Sequence, residues 1–176
     1  MRRAGILIAV AALLAAACAA QDSLTLPDCS GEGPVLIMAQ SVPTASQIPC
    51  LNGLPEGWSF AHGDISESGS AFIFDSDRAG DDAAVLSFGD SCDVGDAIRF
   101  EHSWPDIEGY DRNIAVDPSF RAERSYVFDG GCVRWSFDFD QDVSGTLTVE
   151  IDDRLQFVSR VDYEAILDET FMDVDL

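Results

Sequence analysis

Residues 124–140 read RSYVFDGGCVRWSFDFD. Tyr126 and Phe128 occupy alternate positions before Asp129-Gly130-Gly131, and Val133, Trp135, Phe137 and Phe139 alternate after it. A period of two sends successive side chains to opposite faces of an extended chain. Glycines between two such runs supply the positive φ that a tight turn requires. The segment is therefore expected to form a β-hairpin with one apolar face directed at a core, while Arg134, Ser136, Asp138 and Asp140 line the other face.

Working outward, the same period recurs. WSFAHGDI from Trp58, GSAFIFD at 69–75, AAVLSFG at 83–89 and AIRFEH at 97–102 all read as strands. WPDIEGYDRN at 104–113 reads as loop, with Ile114 and Val116 adding a short edge strand. Residues 35–39 form an apolar burst that fits either a buried strand or a helical turn. Prolines 43, 49 and 55 make residues 40–57 an irregular surface loop pinned by Cys50. Leu147, Val149 and Ile151 fit a strand, the preferred reading, whereas Leu147, Ile151 and Leu155 fit a helix face. Ser159 and Asp162 form a capping box for a terminal helix carrying Val161, Ala165 and Ile166, before a frayed FMDVDL. The expected fold is mainly β with a minor helix: a disulfide-linked antiparallel sheet or compact β sandwich packed against a short C-terminal helix.

The N-terminus sets the compartment. In MRRAGILIAVAALLAAAC, two arginines precede a continuous run of apolar or small residues, which is the layout of a secretory signal. The run is shorter than the about 20 apolar residues a bilayer core needs. LLAAAC resembles a bacterial lipobox. The resemblance implies cleavage before Cys18, diacylglycerol on Cys18, and attachment through it to the extracytoplasmic face of the cell membrane. Residues 1–17 are then the signal, 18–25 a lipidated tether, and 26–176 a single extracytoplasmic domain. Cleavage after Ala19, with Ala17 and Ala19 as an A-x-A site, gives a secreted protein instead. Export agrees with the four remaining cysteines. They allow three pairings, and Cys29–Cys50 with Cys92–Cys132 close local loops without crossing the chain.

Beyond the signal the chain carries 8 arginines, no lysine and 32 acidic residues, a formal charge of −24. Such a field repels nucleic acids and anionic headgroups, which excludes nucleic-acid partners. Histidines 62 and 102 stand outside any zinc or hydrolase motif. Asp75, Asp77 and Asp81 begin like a calcium loop, but Ala79 and Leu86 replace oxygen ligands at the fifth and twelfth positions. Asp138, Asp140 and Asp142 form a second acidic alternation. No cofactor other than Ca2+ is expected. Glu101, Asp106 and Glu108 near Trp104 outline a sugar site, and Trp104 or Trp135 offers a stacking surface. The expected role is noncatalytic binding of an envelope protein or glycan, or a structural role in the envelope. A glycan hydrolase is the alternative if a buried carboxylate pair flanks Trp104, and a small-molecule or lipid carrier if a deep apolar cavity lies between sheet and helix.

Overall fold

The computed structural model describes residues 24–29, 33–141, 143 and 145–165. Cys18, Asp142 and Ile166 lie outside the described residues. The elements follow the order α1 (Pro34–Ser41), β1 (Gln47–Leu51), β2 (Trp58–Ser66), β3 (Gly69–Ser76), β4 (Gly80–Gly89), β5 (Ile98–Phe100), β6 (Glu108–Ala115), β7 (Ser119–Phe128), β8 (Gly131–Gln141), α2 (Leu147–Asp152) and β9 (Leu155–Ser159). Residues 160–165 are helical.

Seven strands form an antiparallel sheet in the order β2-β3-β4-β8-β7-β6-β5, and β1 pairs with β9 in a separate ribbon. Two meanders thus meet at the centre. After β4 the chain crosses to the far edge, and β5 to β8 walk back until β8 pairs with β4. Cys92–Cys132 fastens that junction, for Cys132 is the partner of Gly89, the last residue of β4. Cys29–Cys50 fastens the chain before α1 to β1. The bridges span 40 and 21 residues, so closing each loop in the unfolded chain contributes on the order of 3–4 kcal/mol.

The hairpin forms as its pattern requires, with Phe128 opposite Gly131. The two glycines act differently. Gly130 has φ +67 and lies against the Thr44 carbonyl, where a Cβ would clash, whereas at Gly131 only sterics act, since a Cβ would press into Phe128 and Ala45. Val133, Trp135, Phe137 and Phe139 are all buried, and α1, α2 and the ribbon supply Met38, Val42, Ile151 and Leu155 to the same core.

Several expectations need correction. Residues 147–152 form a helix, because Leu147 and Ile151 share one buried stripe at helical spacing while Val149 turns outward; Thr148 Oγ1 donates to Gly145 O at 2.8 Å. For residues 35–39, where strand and helical turn were both open, the structure has the helix α1. The supposed loop at 40–57 contains β1, whose Ile48, Cys50 and Leu51 are buried. The loop at 104–113 yields most of β6, where polar side chains pair across strands and hide the alternation. The capping box is present: Asp162 N–H donates to Ser159 Oγ at 3.1 Å. Tyr163 then packs with Val35, Ala39, Ile48 and Cys50 in a second, smaller cluster. Arg160 ties this segment to α1, donating to the carbonyls of Ala39 (3.0 Å), Val42 (2.8 Å) and Ala45 (2.6 Å).

Candidate ligand cleft at the edge of the sheet

β5 is only three residues long, so the end of the large sheet is poorly covered. Ile98 on β5 is 76% exposed. The chain between β5 and β6 lines, with the two strands, an open cleft of about 430 Å3. Phe100, His102 and Trp104 supply its aromatic wall, and Arg99, Glu101 and Glu108 its charged rim.

The floor is set by Gly109. A Cβ there would approach Phe100 Cζ to 2.7 Å and His102 Cδ2 to 2.8 Å, so both rings rest on β6 because that residue has no side chain. His102 Nδ1 accepts the Trp104 N–H at 3.2 Å, which places the proton of the neutral ring on Nε2. Trp104 is wedged against Tyr126 and Phe157, at centroid distances of 5.2 and 4.9 Å. Glu108 is occupied on both oxygens: Arg99 lies 3.1 Å from one, and the Tyr110 hydroxyl donates to the other at 2.7 Å. Glu101 and Asp106 are exposed and have no hydrogen-bond or ion-pair partner among the described residues.

Beneath the cleft lies a polar cluster that sequence reasoning missed. Arg124 grips Asp111 with two hydrogen bonds of 2.7 and 2.8 Å and donates to Asp152 at 2.6 Å, and the Tyr126 hydroxyl lies 2.7 Å from Asp152. The Arg124 guanidinium also stands 4.8 Å over the Phe100 ring. Burial pushes the Asp152 carboxyl up, against the opposing pull of Arg124 and Tyr126. Burial likewise raises the Tyr126 phenol, and the charge of Asp152 raises it further. Burial lowers Arg124, but its bonds to Asp111 and Asp152 outweigh that effect and hold it protonated. The legible signal was Arg124 itself, a charge in phase with Ala122, Tyr126 and Phe128 on the apolar side of β7.

The other candidate positions separate. Trp135 is 0% exposed, which removes it as a stacking surface. Of the proposed sugar-site acids, Glu101 and Glu108 line the cleft and Asp106 does not. Both lining acids are exposed, so the buried pair expected of a hydrolase is not found at Trp104. Between the sheet and α2, a gap bordered by Phe137, Arg124 and Thr148 holds about 40 Å3. Asp75 accepts the Asp82 N–H at 2.8 Å, Asp77 lies 3.5 Å from Arg78, and Asp81 points to solvent. Among the described residues, no three His, Cys, Asp or Glu side chains converge as a metal site. His62 is exposed on β2, at the opposite edge of the sheet from β5. Among the described residues, no helix is long and apolar enough to cross a membrane.

Compared with protein-family models, curated proteins and solved structures, the chain matches none.

Proposed function

We propose that this protein is a noncatalytic binding domain of the bacterial cell envelope, held at the extracytoplasmic face of the membrane through lipidated Cys18. The observation that carries the binding role is the β5–β6 cleft. It combines an aromatic wall, two unpaired carboxylates nearby and a floor that depends on a glycine, and it opens to solvent at the β5 edge of the sheet. Its polar groups supply hydrogen-bond acceptors and ring faces, which suit recognition.

The anchor is supported by the N-terminal pattern and by the oxidised pairs Cys29–Cys50 and Cys92–Cys132, which suit an exported chain. A single acyl chain holds a protein only marginally, whereas the multiply acylated cysteine of this signal class retains it firmly. Mass analysis of the mature protein from native membranes tests the anchor: a diacylated Cys18 is expected, and an unmodified N-terminus at Ala20 overturns it. The binding role is tested through Trp104, since Trp58 and Trp135 are buried. Titration with neutral sugars, organic cations and short peptides is expected to give a saturable change in Trp104 emission with one class. Turnover of any of these ligands shifts the reading to an enzyme.

A further inference from the structure

We infer that the β5–β6 cleft recognises an organic cation, a guanidinium or alkylammonium group, with Glu101 as its counter-charge. The inference rests on the binding reading above and specifies its ligand. Of the charged side chains lining the cleft, Arg99 and Glu108 satisfy one another at 3.1 Å. That leaves the Glu101 carboxylate as the uncommitted ionic group, an acceptor without a donor. Asp106, in the same β5–β6 connection, is also unpaired and adds negative potential.

An anionic ligand meets this carboxylate and a domain charge of −24, so it is repelled at long range and at contact. A neutral ligand gains nothing from the field. A cation is drawn in by the field, and the indole of Trp104, which lines the cleft, attracts it further. Phe100 already has Arg124 at 4.8 Å. The aromatic attraction available to a ligand is therefore centred on Trp104, which lines the same cleft as Glu101. The volume, about 430 Å3, accommodates a cationic head with a short apolar stem.

The cation has two possible sources, a free small molecule or an arginine or lysine side chain of a basic polypeptide. A second cleft of about 430 Å3 adjoins the first and shares Arg99 and Phe100 with it; its Asp111 is held by Arg124 and its Asp96 lies 3.5 Å from Arg112, so Asp96, which is largely exposed, is the carboxylate within reach of a further donor. A polypeptide can place a second basic side chain there, whereas a small ion cannot reach both clefts.

The test follows Trp104 emission while the mature domain is titrated with butylguanidinium and with its neutral analogue butylurea. Butylguanidinium is expected to bind saturably, at least about tenfold tighter than butylurea. Glu101→Gln is expected to weaken it about fivefold. Asp64→Asn removes one exposed charge on β2, at the opposite edge of the sheet, and is expected to change binding less than about twofold. Equal loss in the two variants, or equal affinity for the two probes, overturns the assignment, since the field alone or the ring surface alone then accounts for binding. A peptide alternating arginine and threonine that binds far tighter, with the same dependence on Glu101, identifies a basic polypeptide as the source. Equal affinity of the peptide and butylguanidinium identifies a free cation. If methyl glucoside binds saturably and butylguanidinium does not, the cation falls and the binding reading stands. Silence of Trp104 toward every probe overturns both.

Discussion

Two regions of one sheet face obey the same strand period and contain opposite chemistry. On β8, Trp135 packs against Phe74 and Phe137, with centroids 5.6 and 5.9 Å away. Two strands along, on β6, the corresponding face carries Asp111, joined through Arg124 of β7 to Asp152 of α2. The first region closes by non-directional packing and excludes solvent. The second depends on hydrogen bonds with fixed geometry, which only particular partners satisfy, and its edge remains open. Alternation determines which side of a sheet a residue occupies. The chemistry of the neighbouring layer decides whether that side is sealed.

The largest effect should come from breaking the sealed region. Trp135→Ala empties a fully buried site and is expected to cost about 3–5 kcal/mol in urea denaturation. An equally large loss from truncating the exposed Ile98 would erase the contrast between the regions.

Asp152→Ala is expected to cost about 2–3 kcal/mol. It leaves the buried Tyr126 hydroxyl without its acceptor, while Arg124 keeps Asp111. Tyr126→Phe removes only the donor and should cost about 1–2 kcal/mol. If the two variants rank in reverse order, the carboxylate is not the hub of the cluster.

The pH dependence distinguishes the regions without removing atoms. Because burial holds the folded-state pKa of Asp152 above its unfolded value, the folded state binds the proton more tightly. The corresponding stability is fully present below the unfolded carboxylate value and is lost as pH rises through the folded one. The stability of wild type minus that of Asp152→Asn should therefore decline on going upward from about pH 4. A difference that grows with pH would show that Arg124 and Tyr126 outweigh burial. At the alkaline end, the raised Tyr126 adds a loss of stability above its ordinary value near 10, absent in Tyr126→Phe.

Glu101→Gln is the smallest perturbation to the fold, expected within about 0.5 kcal/mol of wild type, because the side chain is exposed and unpaired. A larger change would make Glu101 part of the scaffold and weaken its assignment to the ligand.

Much of the sealed region was legible before any coordinates. Trp135, Phe137 and Phe139 alternate without interruption, and the four cysteines pair as the shortest loops suggest. The open region was read in part. Trp104, Glu101 and Glu108 were singled out and do converge, and residues 104–107 between them are loop as read, but residues 108–113 belong to β6. β6 has a polar alternation, EGYDRNIA, in which Arg112 reaches Glu123 and Tyr110 reaches Glu108, so its strand character resides in pairing rather than hydropathy. Asp152 was unreadable for a related reason. Its role depends on α2, and Leu147, Val149 and Ile151 suit a strand while Leu147, Ile151 and Leu155 suit a helix face until packing selects between them. Arg124 needed only a closer look at its phase.

The attachment of residues 24–29 has a mechanical consequence. Pro27 O accepts the Leu51 N–H at 2.8 Å, Asp28 bridges to Leu51, and Cys29 is covalently joined to Cys50. A pull on the chain from its N-terminal side therefore passes directly into β1, bypassing the residues inside the loop that the bridge closes. α1 lies within that loop, off the direct covalent path. From β1 the load reaches the antiparallel β1–β9 ladder, whose neighbour Arg160 is bonded to the carbonyls of Ala39 and Val42. A domain strained from that side holds through a covalent link and a short ladder, while the large sheet and its cleft remain outside the line of force.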